Sequence, residues 1–264
     1  MTYQLQMILD DRGTERKNMN TLYIVRHGQS VHNEAGDSEP YPEPTYRYGL
    51  TRTGVEQSKE AGVLLREMLG EEGVSFIVSD YERTKQTFEQ ISQAFVGHLD
   101  MEVHVEPILR ERERRGFNTP MAGEQMSLFY RDDIDGGQGE TGAELYDRMY
   151  AFWTGLKLRA ALGELKENVV LVGHGRSTMA LLAVIYECGA AGYDATAKAM
   201  KNAQIVKLSK AVDGKFESED EYVIPFREAA LCLKERLGGT RQIVKKPQGE
   251  LLAQSWNELG LRVS

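Results

Sequence analysis

Short, unbroken runs of apolar, β-favouring residues recur along this chain, and segments of helical periodicity separate them. TLYIV (21–25), VSFIVSD (74–80) and NVVLVG (168–173) are continuous rather than alternating. That is the pattern of strands covered on both faces. EVHVEP (102–107), AQIVKLS (203–209) and EYVIPF (221–226) read as further strands. Helical periodicity fills 51–69, 81–95, about 141–162 and 176–187. Strand-helix alternation of this kind predicts an α/β fold, a three-layer α/β/α sandwich with a mostly parallel central sheet. The extents read as an N-terminal arm (1–19), one α/β domain (20–237) and a C-terminal extension (238–264). Residues 33–50 and 107–140 are long Gly-, Pro- and polar-rich connections, a type that often forms functional lids.

In open α/β sheets ligands bind outside the carboxyl ends of the strands. After LYIV come Arg26, His27 and Gly28. After FIV comes SDYERT, where Ser79 and Glu82 have capping-box spacing, so a helix is expected to start near Ser79 with Arg83 in its first turn. After NVVLVG come His174 and Gly175. The chain has five histidines, and two of them occupy matching positions in RHG and GHG. Three strands thus deliver Arg26, His27, Arg83 and His174 to one sheet edge. Two arginines and two imidazoles repel one another unless an anion fills the space. The guanidinium fork matches phosphate, and the two glycines let backbone N–H groups approach the same anion. A neutral histidine can attack phosphorus and carry the phosphoryl group. A lone RHG or GHG is more often a packed or solvated histidine; it is the joint occurrence after three strands that points to chemistry.

These segments resemble the histidine phosphatase superfamily in its phosphoglycerate-mutase-like branch. RHGQSVHN is similar to R-H-G-x-S-x-x-N. LTRTGVEQSKEAG is similar to L-T-x-x-G-x-x-Q-A, with Ser58 in place of Ala. SDYERTKQT, and GETGAELYDRMYAF followed by NVVLVGHG, complete the likeness over about 20–210. The resemblance implies that His27 is phosphorylated and that Arg26, Arg83 and His174 bind the phosphoryl group. It implies substrate-binding roles for Gly28, Ser30, Asn33 and Gly175. It also implies a carboxylate general acid in an L-x-E-x-x-x-G setting. In ILRERERRGF, Glu111 fits by its distance from Leu109, but Gly116 falls one residue late, so Glu113 is the alternative acid. RERERR also reads as a plain charged surface run. Arg47, Arg52, Arg112, Arg114 and Arg115 read as surface charges that could meet a second anionic group.

The added tryptophan-containing and proline-rich segments of phosphoglycerate mutases are not found after Asn33, so a phosphomonoester hydrolase acting on a small phosphorylated metabolite is expected. A phosphotransferase and a non-catalytic phospho-ligand binding module are the alternatives. A formal net charge of -8 argues against wholesale binding of nucleic acid or anionic membrane. No apolar run approaches the roughly 18 residues of a membrane span, and residues 1–18 do not read as a signal peptide. Cys188 and Cys232 lack metal-type spacing and read as reduced cytoplasmic thiols. No carboxylate pairs with a histidine at ligand spacing, so neither a metal nor a cofactor is expected.

Overall fold

The computed structural model describes residues 19–35, 45–98, 100–112, 139–195 and 200–236. Strands β1 (Thr21–Arg26), β2 (Val74–Val78), β3 (Met101–Val105) and β4 (Asn168–Gly173) lie parallel in the order β3-β2-β4-β1. β5 (Ile205–Lys210) and the short β6 (Phe216–Glu217) extend the sheet antiparallel beyond β1. The sheet is therefore mixed and mostly parallel.

Successive strand side chains point to opposite faces, and both faces are covered. Leu22, Ile24, Val169 and Leu171 enter one core with α4 (Gly142–Ala161), α5 (Gly175–Ile185), α6 (Gly189–Ala195) and α7 (Ile224–Arg236). Tyr23, Val25, Val170 and Val172 enter the other, with α2 (Arg52–Leu69) and α3 (Glu82–Ser92). Two apolar faces are why these runs are unbroken in sequence. A one-turn helix, α1 (Val31–Ala35), follows β1. The starts expected at 51 and 141 are side-chain caps: Thr51 accepts from the Gly54 N–H, and Thr141 with Glu144 forms a capping box. Among the described residues no helix is long and apolar enough to cross a membrane.

Two expectations fail. The strand expected at 221–226 is instead a turn leading into α7. Aromatic and β-branched residues suggested a strand, but Tyr222, Val223 and Phe226 all reach the same core at helical spacing. Pro225, second in α7, lies where a helix tolerates the missing N–H. Nor does Ser79 cap α3. The N-cap is Tyr81, without a side-chain cap bond, and Thr84 Oγ1 donates to the Ser79 and Tyr81 carbonyls. The Ser79 hydroxyl is engaged elsewhere, as shown below. Helix α6 and strand β6 carry too few residues to stand out in the sequence.

The register sets up the site. Val78 pairs with Val172 and Arg26 with Gly173, so β2, β4 and β1 end in line. The Ser79 N–H donates to the Val172 carbonyl and the His27 N–H to the Gly173 carbonyl, both at 3.0 Å.

Candidate active site

His27 and His174 meet where β1 and β4 end. Their ring centroids are 5.3 Å apart at an interplanar angle of 63°. His27 Nδ1 lies 2.7 Å from the Gly28 carbonyl oxygen. A carbonyl can only accept, so Nδ1 carries the proton and the lone pair resides on Nε2. Burial, followed by the charges of Arg83 and Arg26, holds the His27 pKa well below the ordinary imidazole value. Burial and Arg83 do the same to His174. Both rings are thus neutral near pH 7. The arginines alone therefore supply the positive charge of this group. Low-dielectric surroundings and neighbouring cations both disfavour an imidazolium.

His174 is buried, and its Nε2 lies 2.9 Å from the Ser79 hydroxyl, while its Nδ1 has no hydrogen-bond partner among the described residues. Arg83 is buried in the first turn of α3, its guanidinium 4.8 Å from the Tyr81 ring centroid. The Tyr81 ring also packs 5.0 Å from that of His174. One terminal nitrogen of Arg26 donates to the Met200 carbonyl, while its buried Nε has no partner among the described residues.

Gly28 serves a different end from the one expected. The Gly28 N–H donates to Thr87 Oγ1 at 3.0 Å, so it is not held out for an anion. A Cβ on Gly28 would fall 2.3 Å from the Gly54 carbonyl oxygen, and one on Gly54 would fall 2.0 Å from that of Gln29. This glycine pair lets the start of α2 pack on the turn that carries His27. Gly175 starts α5 between two functional groups. A Cβ there would lie 3.7 Å from Arg26 Nε and 3.9 Å from Glu111 Oε2.

Glu111 is fastened to the start of α5. Its Oε2 accepts from the Arg176 N–H at 3.1 Å, and its Oε1 from the N–H groups of Ser177 at 3.1 Å and Arg112 at 2.9 Å. Arg148 of α4 secures the segment that bears Glu111. Its Nη1 donates to the Ile108 and Arg110 carbonyls at 2.6 and 2.9 Å, and its other nitrogens grip both Glu140 oxygens. Glu113, Arg114 and Arg115 lie outside the described residues. Arg112 is buried, against its reading as a surface charge, whereas Arg47 and Arg52 are exposed. Within RERERR, Arg110 is exposed, but Glu111 reaches the start of α5 and Arg112 is buried, so these two residues do not fit a plain solvated run.

Ser30 is buried, and its hydroxyl and N–H donate to Asn33 Oδ1 at 3.0 and 3.2 Å. Asn202 donates to the same oxygen at 3.0 Å and to the His27 carbonyl at 3.2 Å. These donors fix the orientation of the Asn33 amide. Ser30 holds Asn33 in place.

A family model described as the histidine phosphatase superfamily (branch 1) matches residues 22–218. The chain belongs to this superfamily. Among its relatives in Arabidopsis thaliana is phosphoglycerate mutase-like protein AT74H, 28% identical over 181 residues, which are 61% of this chain and 64% of that protein. Phosphoglycerate mutase-like protein AT74 is 29% identical over 182 residues, 61% and 56% of the respective chains. The match thus spans less than two thirds of either relative. A solved structure called mycobacterial hydrolase 1 superposes with a TM-score of 0.61 at 20% identity, covering 76% of this chain and 97% of the other. A mycobacterial glucosyl-3-phosphoglycerate phosphatase in complex with VO3 gives 0.58 at 20% identity, covering 76% and 98%. At these identities the structures speak for the fold.

Within this histidine phosphatase fold, Ser79, Asn202 and Arg148 are the site residues that sequence reasoning missed. Ser79 had a local signature, but of a cap. Asn202 is far from RHG in the chain and had no signal. Arg148 lay inside a recognised segment, with nothing to show that it reaches the loop of Glu111. Among the described residues no group of three or more His, Cys, Asp or Glu side chains could hold a metal ion.

Proposed function

We propose that the protein is a phosphomonoester hydrolase that works through a phosphohistidine at His27. One observation carries this reading: His27 is buried, neutral and tautomerically fixed, with its Nε2 lone pair beside two arginines and a second histidine. The nucleophile needs no separate base, because Nε2 has no proton to lose. It attacks phosphorus, the bond to the leaving oxygen breaks, and Glu111 gives that oxygen its proton. Arg26 and Arg83 neutralise the phosphoryl oxygens, with His174 and the Asn33 amide as hydrogen-bonding partners. Glu111, now ionised, takes a proton from water as that water attacks the phosphohistidine. The P–N bond breaks, phosphate leaves and Nε2 recovers its lone pair.

Brief reaction with 32P-labelled phosphomonoester and a basic quench tests this. Acid-labile label is expected on His27, and none in His27→Ala. Label on a serine, or turnover by His27→Ala, defeats the reading. The relatives named phosphoglycerate mutase-like favour one other outcome, transfer to a second hydroxyl compound. Free phosphate against a new phosphoester in the product separates the two.

A further inference from the structure

The phosphoryl pocket accounts for Arg26 and Arg83 but not for Arg176. This arginine is the second residue of α5, directly above the carboxylate of Glu111. It is half-buried. Half-burial of a guanidinium is costly unless it finds an acceptor. Among the described residues the one hydrogen-bond contact of the Arg176 side chain is weak, from Nη1 to the thioether sulfur of Met179 at 3.7 Å. Glu111, the carboxylate that the Arg176 backbone N–H meets, is already engaged by three N–H groups. Arg176 is also close enough to Arg26 for the two charges to oppose each other. On the same side stand the buried rings of Tyr193 and Tyr222, which feel the Arg176 charge.

Arg26 and Arg176 are thus two like charges flanking Gly175, one with a buried, partnerless Nε and the other with a thioether for company. The N–H groups of Arg176 and Ser177 cannot serve an anion at Arg176, because Glu111 holds both.

We infer that Arg176 binds a second anionic group of the substrate, a carboxylate or a second phosphoryl, carried by the part of the molecule that leaves. This deepens the reading of a phosphomonoester site and rests on it. Of the arginines that the sequence offered for this task, Arg47 and Arg52 are exposed and belong to segments before and at the start of α2, Arg112 is buried, and Arg114 and Arg115 lie outside the described residues.

The test measures binding on a His27→Ala background, so that no ligand is turned over. Propyl phosphate, 2-carboxyethyl phosphate and propane-1,3-diol bisphosphate are titrated by calorimetry. With Arg176 present, one of the two doubly anionic ligands is expected to bind about tenfold to a hundredfold more tightly than propyl phosphate, the scale of a charge-assisted contact. Whichever it is names the second group. Arg176→Gln should erase that preference, and Arg176→Lys should restore part of it. Equal affinity for all three ligands, no binding of any, or a preference that survives Arg176→Gln overturns the assignment. Hydrolysis by the unmodified protein is assayed in parallel. Binding selectivity without hydrolysis would retain the subsite and remove the hydrolase reading. Hydrolysis without selectivity would do the reverse.

Discussion

Glu111 and His27 show what single residues contribute. Each is held by backbone groups, Glu111 by three N–H donors and His27 by the Gly28 carbonyl. Fixed orientation is what proton and phosphoryl transfer demand. Glu111→Gln keeps the size of the side chain but has no proton to pass on. We expect it to slow hydrolysis of alkyl phosphates by a factor of about 100 to 10,000, the usual worth of general acid catalysis. Nitrophenyl phosphate should suffer far less, because nitrophenolate departs without a proton. Steady-state rates on the two substrates check this, and an equal loss on both would move the donor elsewhere. The positions of His27, Arg83 and His174 were legible because each follows a buried strand. Their protonation was not. Whether an imidazole is charged depends on what surrounds it in space, and here burial and Arg83 keep it neutral.

At the scale of elements, two helix starts that look alike in sequence do different work. Thr51 caps α2, whereas Ser79 forgoes capping and reaches His174. Thr51→Ala should therefore cost about 1 kcal/mol of stability. Ser79→Ala should instead show its main effect in catalysis, lowering kcat about tenfold to a hundredfold through a misplaced His174. Chemical denaturation and steady-state kinetics on both variants separate the roles. A Ser79→Ala variant with unchanged kcat and a loss of helix stability would restore Ser79 as a cap. Strand and helix positions were readable because periodicity is local. The failure at 221–226 has the same origin. A short run of Tyr, Val, Ile and Phe fits either period, and only packing of Tyr222, Val223 and Phe226 on one core decides it.

Across the whole molecule, folding buries His27 and His174 together at the sheet edge. Both pKa values lie well below 6.5 in the folded protein, whereas the unfolded chain titrates near about 6.5. Above that pH the rings are neutral in both states. Below it the unfolded chain takes up protons that the fold refuses. Stability is then fully present above the unfolded pKa and is lost as pH falls towards the folded values. The Tm should decline from pH 7 to pH 5, and less steeply in His174→Gln. Parallel curves would mean that the ring is not held neutral. The sequence by itself determined the layered architecture, because a doubly covered strand must be apolar at every position, and it located the strand ends that carry His27, Arg83 and His174. The tertiary structure alone decided which groups those residues face. Ser79 on His174, Asn202 on Asn33 and Arg148 on the loop of Glu111 link residues far apart in the chain. Such contacts leave no periodic trace, because they arise from the register and packing of separate elements.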